Sequence, residues 1–303
     1  MAGYIETARL LDSTTLRAIV HAIRGDADRF DPPETPDPAL VGPVDRPFDS
    51  IPDAADRLSR LETRLRDRED RRSVFLTIYV QMTREVHDGI RGGRFADPDW
   101  MRRYLVTFAN YYRRAFLAFE RGNLDAVPDP WRLAFGSAVD GQTLVVQDAF
   151  LGVNAHINHD LALALHDVGI DPNRDQKYAD HRAINGILAR LVDVQQEVLE
   201  RTYAAGVDDV DAIFGRFDES LTLRSMTEGR EQAWRVAVVL TDVGVAAARS
   251  VARWVLRATA TGGGFFVLSP HLDPSVVRTL RTVESEGIDT ILERVHEQVD
   301  GGS

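Results

Sequence analysis

Cysteine is absent from the 303 residues of the chain. This absence excludes disulfide bonds, thiolate metal ligands and cysteine nucleophiles, so a metal site would have to use His, Asp, Glu, Asn or backbone oxygen. The sequence also lacks an apolar run of the roughly 18 residues that a membrane-spanning helix needs. The first residues, MAGYIETARLLDS, contain no basic segment followed by an apolar one, so we expect no secretory signal. These absences predict a cytoplasmic protein without a transmembrane segment.

Lysine is scarce, and the cations of the chain do not cluster. Lys177 is the only lysine, the other cations are arginines, and the net charge is −11. The densest basic run, RDREDRR at residues 66–72, is interrupted by acids, as is typical of a solvated helix face. Because binding to a phosphate backbone draws its energy from clustered cations, we expect no nucleic-acid partner. The expected partner is an unidentified small molecule or protein, and the oligomeric state is left open.

Strand-like alternation of polar and apolar residues is missing, whereas apolar residues recur every three to four positions in many segments. We therefore predict an all-α fold, a single multi-helix bundle forming one domain over residues 1–303, with a long central helix at about 140–168. Seven prolines in residues 25–52 predict an extended surface segment without regular structure, followed by a helix capped by Asp53. The TGGG stretch at 261–264 predicts a hinge before a C-terminal helical piece. The other predicted helices cover residues 4–24, 54–70, 72–91, 98–121, 177–205 and, as one or two helices, 218–259.

The predicted central helix carries an unusual set of polar residues. Three histidines and three aspartates share one arc of about 120° when the helix is drawn at 100° per residue. These six residues are Asp148, His156, His159, Asp160, His166 and Asp167. Asn154 and Asn158 fall on the opposite arc, where we expect buried amide hydrogen bonds to neighbouring helices. The histidine arc faces either solvent or a polar cleft, and the lack of Arg, Lys and Glu between Phe150 and Gly169 favours the cleft.

His156 and Asp160 are four residues apart, a spacing at which one helix presents an imidazole and a carboxylate to the same metal ion. We predict that they bind a divalent metal such as zinc, manganese or iron, which would lower the pKa of a bound water toward ~7. The histidines that could complete this metal site are His87, His166 and His181. The polar residues expected to support it are Thr83, Asn154, Asn158, His159 and Asn185.

The stretch FLGVNAHINHD, Phe150 to Asp160, resembles the F-L-G-x-N-A-H-I-N-x-D signature of an uncharacterised family of helical bacterial and archaeal proteins, a domain of unknown function. The resemblance implies that Asn154, His156, Asn158 and Asp160 are the residues to examine. It implies no particular reaction.

Two further patterns resemble metal-dependent hydrolases. LALHDVG at 163–169 is similar to the L-H-D-I-G segment of HD-domain phosphohydrolases, in which adjacent His and Asp bind a metal. The residues that could complete such a site are His87 or His156 upstream and Asp193 or Asp208 downstream. The spacing of His156, Asp160 and His166 is similar to that of zinc-dependent phospholipase C and P1-type nucleases. His181 follows near the position of a further His of that group, but Asn185 stands where the group has an acid.

Two classes of function therefore remain at this point. The first is a metal-dependent hydrolase of the phosphoester type that uses the His/Asp site of the central helix. The second is a non-catalytic helical binding or scaffold protein, in which the Asn, His and Asp side chains form a buried hydrogen-bond network. We expect loss of a bound metal in the His156→Ala variant if the first is correct.

Overall fold

The structure is a computed structural model, and it describes residues 30–189 and 223–268, together with residues 20, 27, 278, 280–282, 284 and 293. The predicted helix at 4–24, most of the C-terminal helical piece, and Asp193 and Asp208 lie outside the described residues. Within the described part the chain folds into helices joined by turns and has no β-strand. The predicted all-α fold is confirmed. None of the helices described is long and apolar enough to cross a membrane.

Ten α-helices have both ends within the described ranges. In chain order they are α1 (Pro38–Val41), α2 (Ile51–Arg66), α3 (Arg72–Arg91), α4 (Pro98–Glu120), α5 (Asp129–Asp140), α6 (Val145–Ala155), α7 (Leu161–Val168), α8 (Arg174–Ala183), α9 (Leu223–Asp242) and α10 (Ala246–Leu268). A π-helical turn, His156–Asp160, joins α6 to α7, and 3-10 turns lie at Gly42–Val44 and Leu124–Ala126.

Side-chain caps determine where α2 and α4 begin. The hydroxyl of Ser50 accepts a hydrogen bond from the backbone N–H of Asp53 at 3.2 Å, so Ser50 is the cap of α2 and the prediction of Asp53 was wrong. Asp97 accepts a hydrogen bond from the backbone N–H of Trp100 at 2.9 Å, as predicted. Pro98 occupies the first position of α4, where a backbone N–H would have no helical partner in any case.

The central helix begins later than predicted, because Gly141 ends the preceding helix. Gly141 has a left-handed φ of 66°, which terminates α5. From Val145 to Val168 the chain then continues as one helical rod through α6, the π-helical turn and α7. A π-helical turn contains one residue more than an α-helical turn, and such turns are frequent at functional sites. In this rod the π-helical turn contains His156, His159 and Asp160.

Large aromatic side chains pack around the central rod. Trp100, Tyr104 and Tyr112 from α4 and Trp131 from α5 are all at most 1% exposed. Helices α3, α4, α5, α9 and α10 contact the rod, and one hydrophobic cluster includes residues from α1 through α10. The rod is therefore enclosed on most of its circumference. The side chains of Asn154, His156, His159 and Asp160 lie in the interior of the molecule, whereas Asn158 and Asp167 are exposed.

The proline-rich segment contains regular structure, contrary to the prediction. Within residues 30–50 it forms α1 and a 3-10 turn, and Asp37 caps α1 by accepting from the backbone N–H of Ala39 at 2.7 Å. Leu40, Val44 and Phe48 are at most 3% exposed and belong to the main core. Prolines are compatible with the first turn of a helix, and burial of these apolar side chains orders the segment between them.

The glycine-rich stretch at 261–264 is not a hinge, because α10 continues through it from Ala246 to Leu268. A Cβ atom at Gly263 would lie 2.6 Å from Oδ1 of Asn154, and one at Gly264 would lie 2.9 Å from the side chain of Leu133. These glycines permit α10 to pack closely on α5 and α6. The close packing compensates for the roughly 1 kcal/mol by which each helical glycine is less favourable than alanine.

Candidate functional site

The carboxylate of Asp160 is the centre of a buried polar cluster. Asp160 is the last residue of the π-helical turn and is 1% exposed. Its Oδ2 accepts hydrogen bonds from Nε1 of Trp131 at 2.8 Å and from Nδ1 of His156 at 3.1 Å. Its Oδ1 accepts a hydrogen bond from Nδ1 of His159 at 2.8 Å. One indole and two imidazoles therefore converge on a single buried carboxylate.

The donors around Asp160 stabilise its ionised form. Burial acts to raise the pKa of this carboxyl, but the hydrogen bonds from His156 and His159 outweigh burial and leave the pKa below its usual value. Because an ionised carboxylate only accepts hydrogen bonds, both imidazoles carry a proton on Nδ1. In the neutral form of each ring, Nε2 is then the atom that can accept a further proton.

His156 lies within the aromatic core and is closed off from solvent. It is 2% exposed, and its ring stacks on Phe108 with centroids 3.6 Å apart and meets the ring of Tyr79 edge-on at 4.5 Å. Burial lowers the pKa of His156, although the charge of Asp160 acts in the opposite direction. Its Nε2 is buried without a hydrogen-bond partner. This ring therefore supports Asp160 from inside the core.

His159 supports Asp160 from the opposite environment, a surface cleft. The cleft has a volume of about 460 Å³ and is bordered by α4, the turn that follows it and the central rod. Both His159 and Asp160 line it, and Nε2 of His159 has no hydrogen-bond partner among the described residues. Its volume lies in the range of small-molecule sites, about 300–1,000 Å³. His159 is only 6% exposed, so the histidine–aspartate pair lies at the inner wall of the cleft.

Two arginines, Arg114 of α4 and Arg121 directly after α4, line the same cleft. Arg114 and Arg121 are seven residues apart, which places them on the same face of the helix, and both are exposed. The guanidinium of Arg114 lies 4.2 Å from the ring centroid of Tyr111, whose hydroxyl donates to Asp167 at 2.7 Å. Neither arginine forms an ion pair with a carboxylate in the described part of the chain. The cleft therefore combines a histidine–aspartate pair with two cations that form no ion pair with any described residue.

His181 and Asn185, two other predicted site residues, lie with Arg230 of α9, not with Asp160. Nδ1 of His181 accepts a hydrogen bond from the hydroxyl of Tyr104 at 3.1 Å, and its Nε2 donates to the carbonyl oxygen of Arg230 at 3.2 Å. Oδ1 of Asn185 accepts from Nε of Arg230 at 2.7 Å. Burial and the charge of Arg230 place the pKa of His181 well below its usual range.

The remaining predicted residues also lie outside the Asp160 cluster. His166 is half-buried at the end of α7 and contacts the hydroxyl of Thr241 through Nδ1 at 3.2 Å. His87 is half-buried on α3. The hydroxyl of Thr83 is buried and donates to the carbonyl oxygen of Tyr79 at 2.8 Å. Of the predicted metal ligands, the structure brings only His156 and Asp160 together. His166 contacts α9, and His181 contacts α4 and α9.

Asn154 and Asn158 connect the central rod to α9 and α10. Asn154 is buried, and its Nδ2 donates to the carbonyl oxygen of Ala260 at 2.8 Å, as expected for an amide that fixes a neighbouring helix. Nδ2 of Asn158 donates to Oδ1 of Asn154 at 2.9 Å. Asn158 itself is exposed, contrary to expectation, because it packs against Gly229 of α9, which has no side chain to cover the amide.

Metal binding by His156 and Asp160 stays a prediction. The described residues contain no group of three or more His, Asp or Glu side chains that could hold a metal ion. His159, which was predicted only to support the metal site, is a direct hydrogen-bond partner of Asp160 at the cleft. Trp131, Arg114 and Arg121 were not predicted as site residues. In the sequence, the only feature that relates the two arginines is their spacing of seven residues, or two helical turns.

Comparison with known proteins identifies the family but no reaction. No curated protein and no solved structure matches the chain. The similarities to phospholipase C and P1-type nucleases and to HD-domain phosphohydrolases are not confirmed by any match. A sequence profile described as a family of unknown function, DUF5995, matches residues 51–270, a range that contains the whole Asp160 cluster and the cleft. The chain therefore belongs to DUF5995, a family of unknown function.

Proposed function

We propose that the cleft is the active site of a hydrolase that acts on a small anionic ester, with His159 as the general base. The observation that carries this proposal is the hydrogen bond of 2.8 Å between Nδ1 of His159 and Asp160, in a cleft that also contains two guanidinium groups without an ion pair among the described residues. A histidine oriented by a carboxylate is the usual arrangement of a general base in hydrolysis.

His159 would supply the proton transfers of the reaction. Its Nε2 accepts a proton from a water molecule in the cleft as the water oxygen forms a bond to the phosphorus or acyl carbon of the ester. The bond from that atom to the leaving oxygen breaks, and the imidazolium returns the proton to this oxygen. Asp160 holds the ring in the tautomer that leaves Nε2 free, and its negative charge stabilises the imidazolium.

Arg114 and Arg121 would supply the selectivity for an anion. A guanidinium group presents several N–H donors in one plane and binds phosphate or carboxylate through paired hydrogen bonds. Because neither side chain is engaged by a carboxylate of the described protein, both are available to a ligand. They also can stabilise the negative charge that develops on the reacting group.

The geometry favours His159 over the metal-based mechanism that places an ion between His156 and Asp160. Oδ2 of Asp160 already accepts hydrogen bonds from Trp131 and His156, and His156 is 2% exposed. His159 lines the cleft and His156 does not, so a substrate in the cleft meets the imidazole of His159 and not that of His156.

The test is hydrolysis of p-nitrophenyl phosphate, bis(p-nitrophenyl) phosphate and p-nitrophenyl acetate by the full chain, with chelator and with added zinc or manganese. Loss of a general base lowers kcat by roughly 10²–10⁴-fold, so we expect a loss of this size for His159→Ala with an accessible ester. Arg114→Ala should raise KM for the phosphate esters. The matched controls are His87→Ala and Arg103→Ala, of which Arg103 is an exposed arginine of the same helix outside the cleft.

Two outcomes would contradict the proposal. The first is turnover that His159→Ala leaves unchanged. The second is binding of inorganic phosphate in the cleft, weakened by Arg114→Ala, without turnover of any ester. The second outcome would favour the alternative class, a non-catalytic protein that binds small anions.

A further inference from the structure

The two arginines of the cleft lie far apart along one helix face. Arg114 and Arg121 are seven residues apart, and each residue of an α-helix adds about 1.5 Å, so their Cα atoms are separated by about 10 Å. Helix side chains lean toward the N-terminus, and Arg114 does so, because its guanidinium lies 4.2 Å from the ring centroid of Tyr111. Side chains of equal length on one face keep roughly the separation of their Cα atoms. The cleft therefore has two cationic positions about 10 Å apart.

Both guanidinium groups have N–H donors left for a ligand. Arg114 is exposed and donates a hydrogen bond to the hydroxyl of Tyr111, which leaves further N–H groups of the same guanidinium available. Arg121 is exposed, and its side chain forms no hydrogen bond or ion pair within the described part of the chain. Among the described residues that line the cleft, the carboxylate is that of Asp160, and it already accepts hydrogen bonds from one indole and two imidazoles.

The positive charge of these two groups also acts on a neighbouring side chain. Burial lowers the pKa of Arg113, and the charges of Arg114 and Arg121 lower it further, although Asp45 acts in the opposite direction. Cations that make a neighbouring cation less stable produce a positive potential at this side of the helix. The cleft therefore attracts anions.

The surface of the cleft between the two cationic positions is apolar. Ala115, Leu117 and Ala118 lie between the arginines in α4 and line the cleft, and Leu163 of α7 lines it as well. Two of these residues are alanines, whose small side chains leave space above the helix. Covering this surface with a polar group that has no hydrogen-bond partner is costly, whereas an apolar chain gains by leaving water. A ligand that reaches both arginines is therefore expected to have an apolar middle.

We propose that the cleft recognises an elongated dicarboxylate, a molecule with one carboxylate at each end and an apolar middle, bound by Arg114 at one end and by Arg121 at the other. One guanidinium pairs with one carboxylate through two parallel hydrogen bonds, and a carboxylate carries a single charge, so each end needs one arginine. The inference rests on the proposed function only for the position of the ester bond. The substrate is then a carboxylic ester with a carboxylate on both its acyl side and its leaving side, and His159 acts on the bond between them.

The first test is equilibrium binding of azelate, an unbranched dicarboxylate of comparable length, to the full wild-type chain by isothermal titration calorimetry. The comparison ligands are nonanoate, which has the same length and one carboxylate, succinate, which is shorter, and pyrophosphate, which is compact. We expect azelate to bind about ten-fold more tightly than each of them, because it alone forms both charge-assisted contacts. Equal affinity for azelate and nonanoate, or tighter binding of succinate or pyrophosphate than of azelate, would overturn the proposal.

Two variants and a matched control assign the two ends. Arg114→Ala and Arg121→Ala should each weaken azelate binding by about ten-fold, to the level of nonanoate, because either change removes one of the two contacts. Arg103→Ala, which removes an exposed arginine of the same helix outside the cleft, should leave azelate binding unchanged. Both cleft arginines are exposed, so the variants should keep the Tm of the wild type. Azelate binding of wild-type strength in either cleft variant contradicts the proposal.

The second test separates this inference from the hydrolase proposal. Mono-p-carboxyphenyl glutarate has a carboxylate on each side of its ester bond, and its hydrolysis yields glutarate and p-hydroxybenzoate, whereas p-carboxyphenyl pentanoate lacks the carboxylate of the acyl side. We expect KM to be about ten-fold lower for the glutarate ester, and Arg114→Ala and Arg121→Ala to remove this difference. Azelate binding without turnover of either ester would contradict the hydrolase and support the dicarboxylate site. Turnover with equal KM for both esters would contradict the dicarboxylate site alone.

Discussion

At the scale of single residues, Asp160 connects the core of the protein to its surface. On one side it accepts hydrogen bonds from Trp131 and His156, which are at most 2% exposed within the aromatic core. On the other side it accepts from His159, which lines the cleft. A buried charge that is hydrogen-bonded on both oxygens fixes the orientation of all its donors at once. The position of His159 in the cleft is therefore set by residues deep in the core.

Replacing Asp160 with Asn should destabilise the protein strongly. The amide group of Asn places N–H donors where the carboxylate accepted three hydrogen bonds, so at least one donor faces another donor. We expect the free energy of unfolding, measured by urea denaturation, to fall by about 3 kcal/mol. The control is Asp167→Asn, whose exposed carboxylate accepts from Tyr111 at the surface and should contribute less than about 1 kcal/mol. Equal losses in the two variants would contradict the central role of Asp160.

At the scale of helices, the central rod packs closely on its neighbours wherever glycine replaces a side chain. Gly152 of α6 faces the ring of Phe75 on α3, Gly229 of α9 faces Asn158, and Gly263 of α10 faces Asn154. Each of these glycines lies in a helix interior, where its own conformational preference is unfavourable. The residues of the FLGVNAHINHD stretch therefore have structural roles. Gly152 permits the close approach of α3, and the two asparagines contact α9 and α10. His156 and Asp160 belong to the buried polar cluster.

Gly152→Ala should be destabilising even though alanine is the better helix former. A Cβ atom at this position would lie 2.4 Å from the ring of Phe75, so either the ring or α3 has to move. Overpacking of this kind costs about 1–3 kcal/mol, more than the gain of up to about 1 kcal/mol in helix propensity. The lower free energy of unfolding is measurable by thermal or urea denaturation.

The matched control for this prediction is Gly186→Ala. Gly186 lies in the helical stretch 185–189, and a Cβ atom there would have no heavy atom of the described residues within 4 Å. The substitution should therefore leave stability unchanged or raise it by up to about 1 kcal/mol. If the Gly152→Ala variant were as stable as the Gly186→Ala variant, the close approach of α3 and α6 in the structure would be contradicted.

At the scale of the whole molecule, several titratable groups are buried, and their pKa values differ from those in the unfolded chain. Burial and Arg230 lower the pKa of His181 well below its ordinary value, and burial lowers the pKa of His156. In the other direction, burial raises the pKa of Asp148 to about 7 although Arg71 lies 2.7 Å away. The stability of the wild type in mild acid therefore contains opposing contributions, and single groups have to be separated by comparing variants.

The contribution of His181 has a definite sign. Its folded pKa is lower than the unfolded value of about 6.5, so between these two pKa values the unfolded chain binds a proton that the folded protein does not. Stability from this group is fully present above pH 6.5 and falls by about 1.4 kcal/mol per pH unit below it. We expect the stability difference between the wild type and His181→Asn to shrink by about 1 kcal/mol between pH 6.5 and 5.5, because the unfolded histidine is already half protonated at pH 6.5. Urea denaturation at a series of pH values measures it, and a constant difference would contradict a buried, neutral His181.

The positions of most helices could be predicted from the sequence. Apolar periodicity, capping residues and helix-ending glycines each act on helix formation within a few residues. The predicted helices at 72–91 and 98–121 match α3 and α4 closely, and Asp97 is the cap of α4 as predicted. Two predictions made from local sequence were wrong, because contacts with residues far away in the chain determine the structure there. The prolines of residues 30–50 accommodate α1 because Leu40 and Phe48 enter the main core, and the glycines at 261–264 stay helical because α10 packs on Asn154 and Leu133.

The candidate site was determined by the sequence only in part, for the same physical reason. The i, i+4 spacing brought His156 and Asp160 together as expected, since helix geometry alone sets that contact. Other features of the site depend on how separate helices pack around the central rod. These are the contacts of His166 and His181, the hydrogen bond that Trp131 donates to Asp160, and the place of Arg114 and Arg121 in the same cleft as His159. Packing joins residues far apart in the chain through shape and burial, and no short stretch of sequence contains that information.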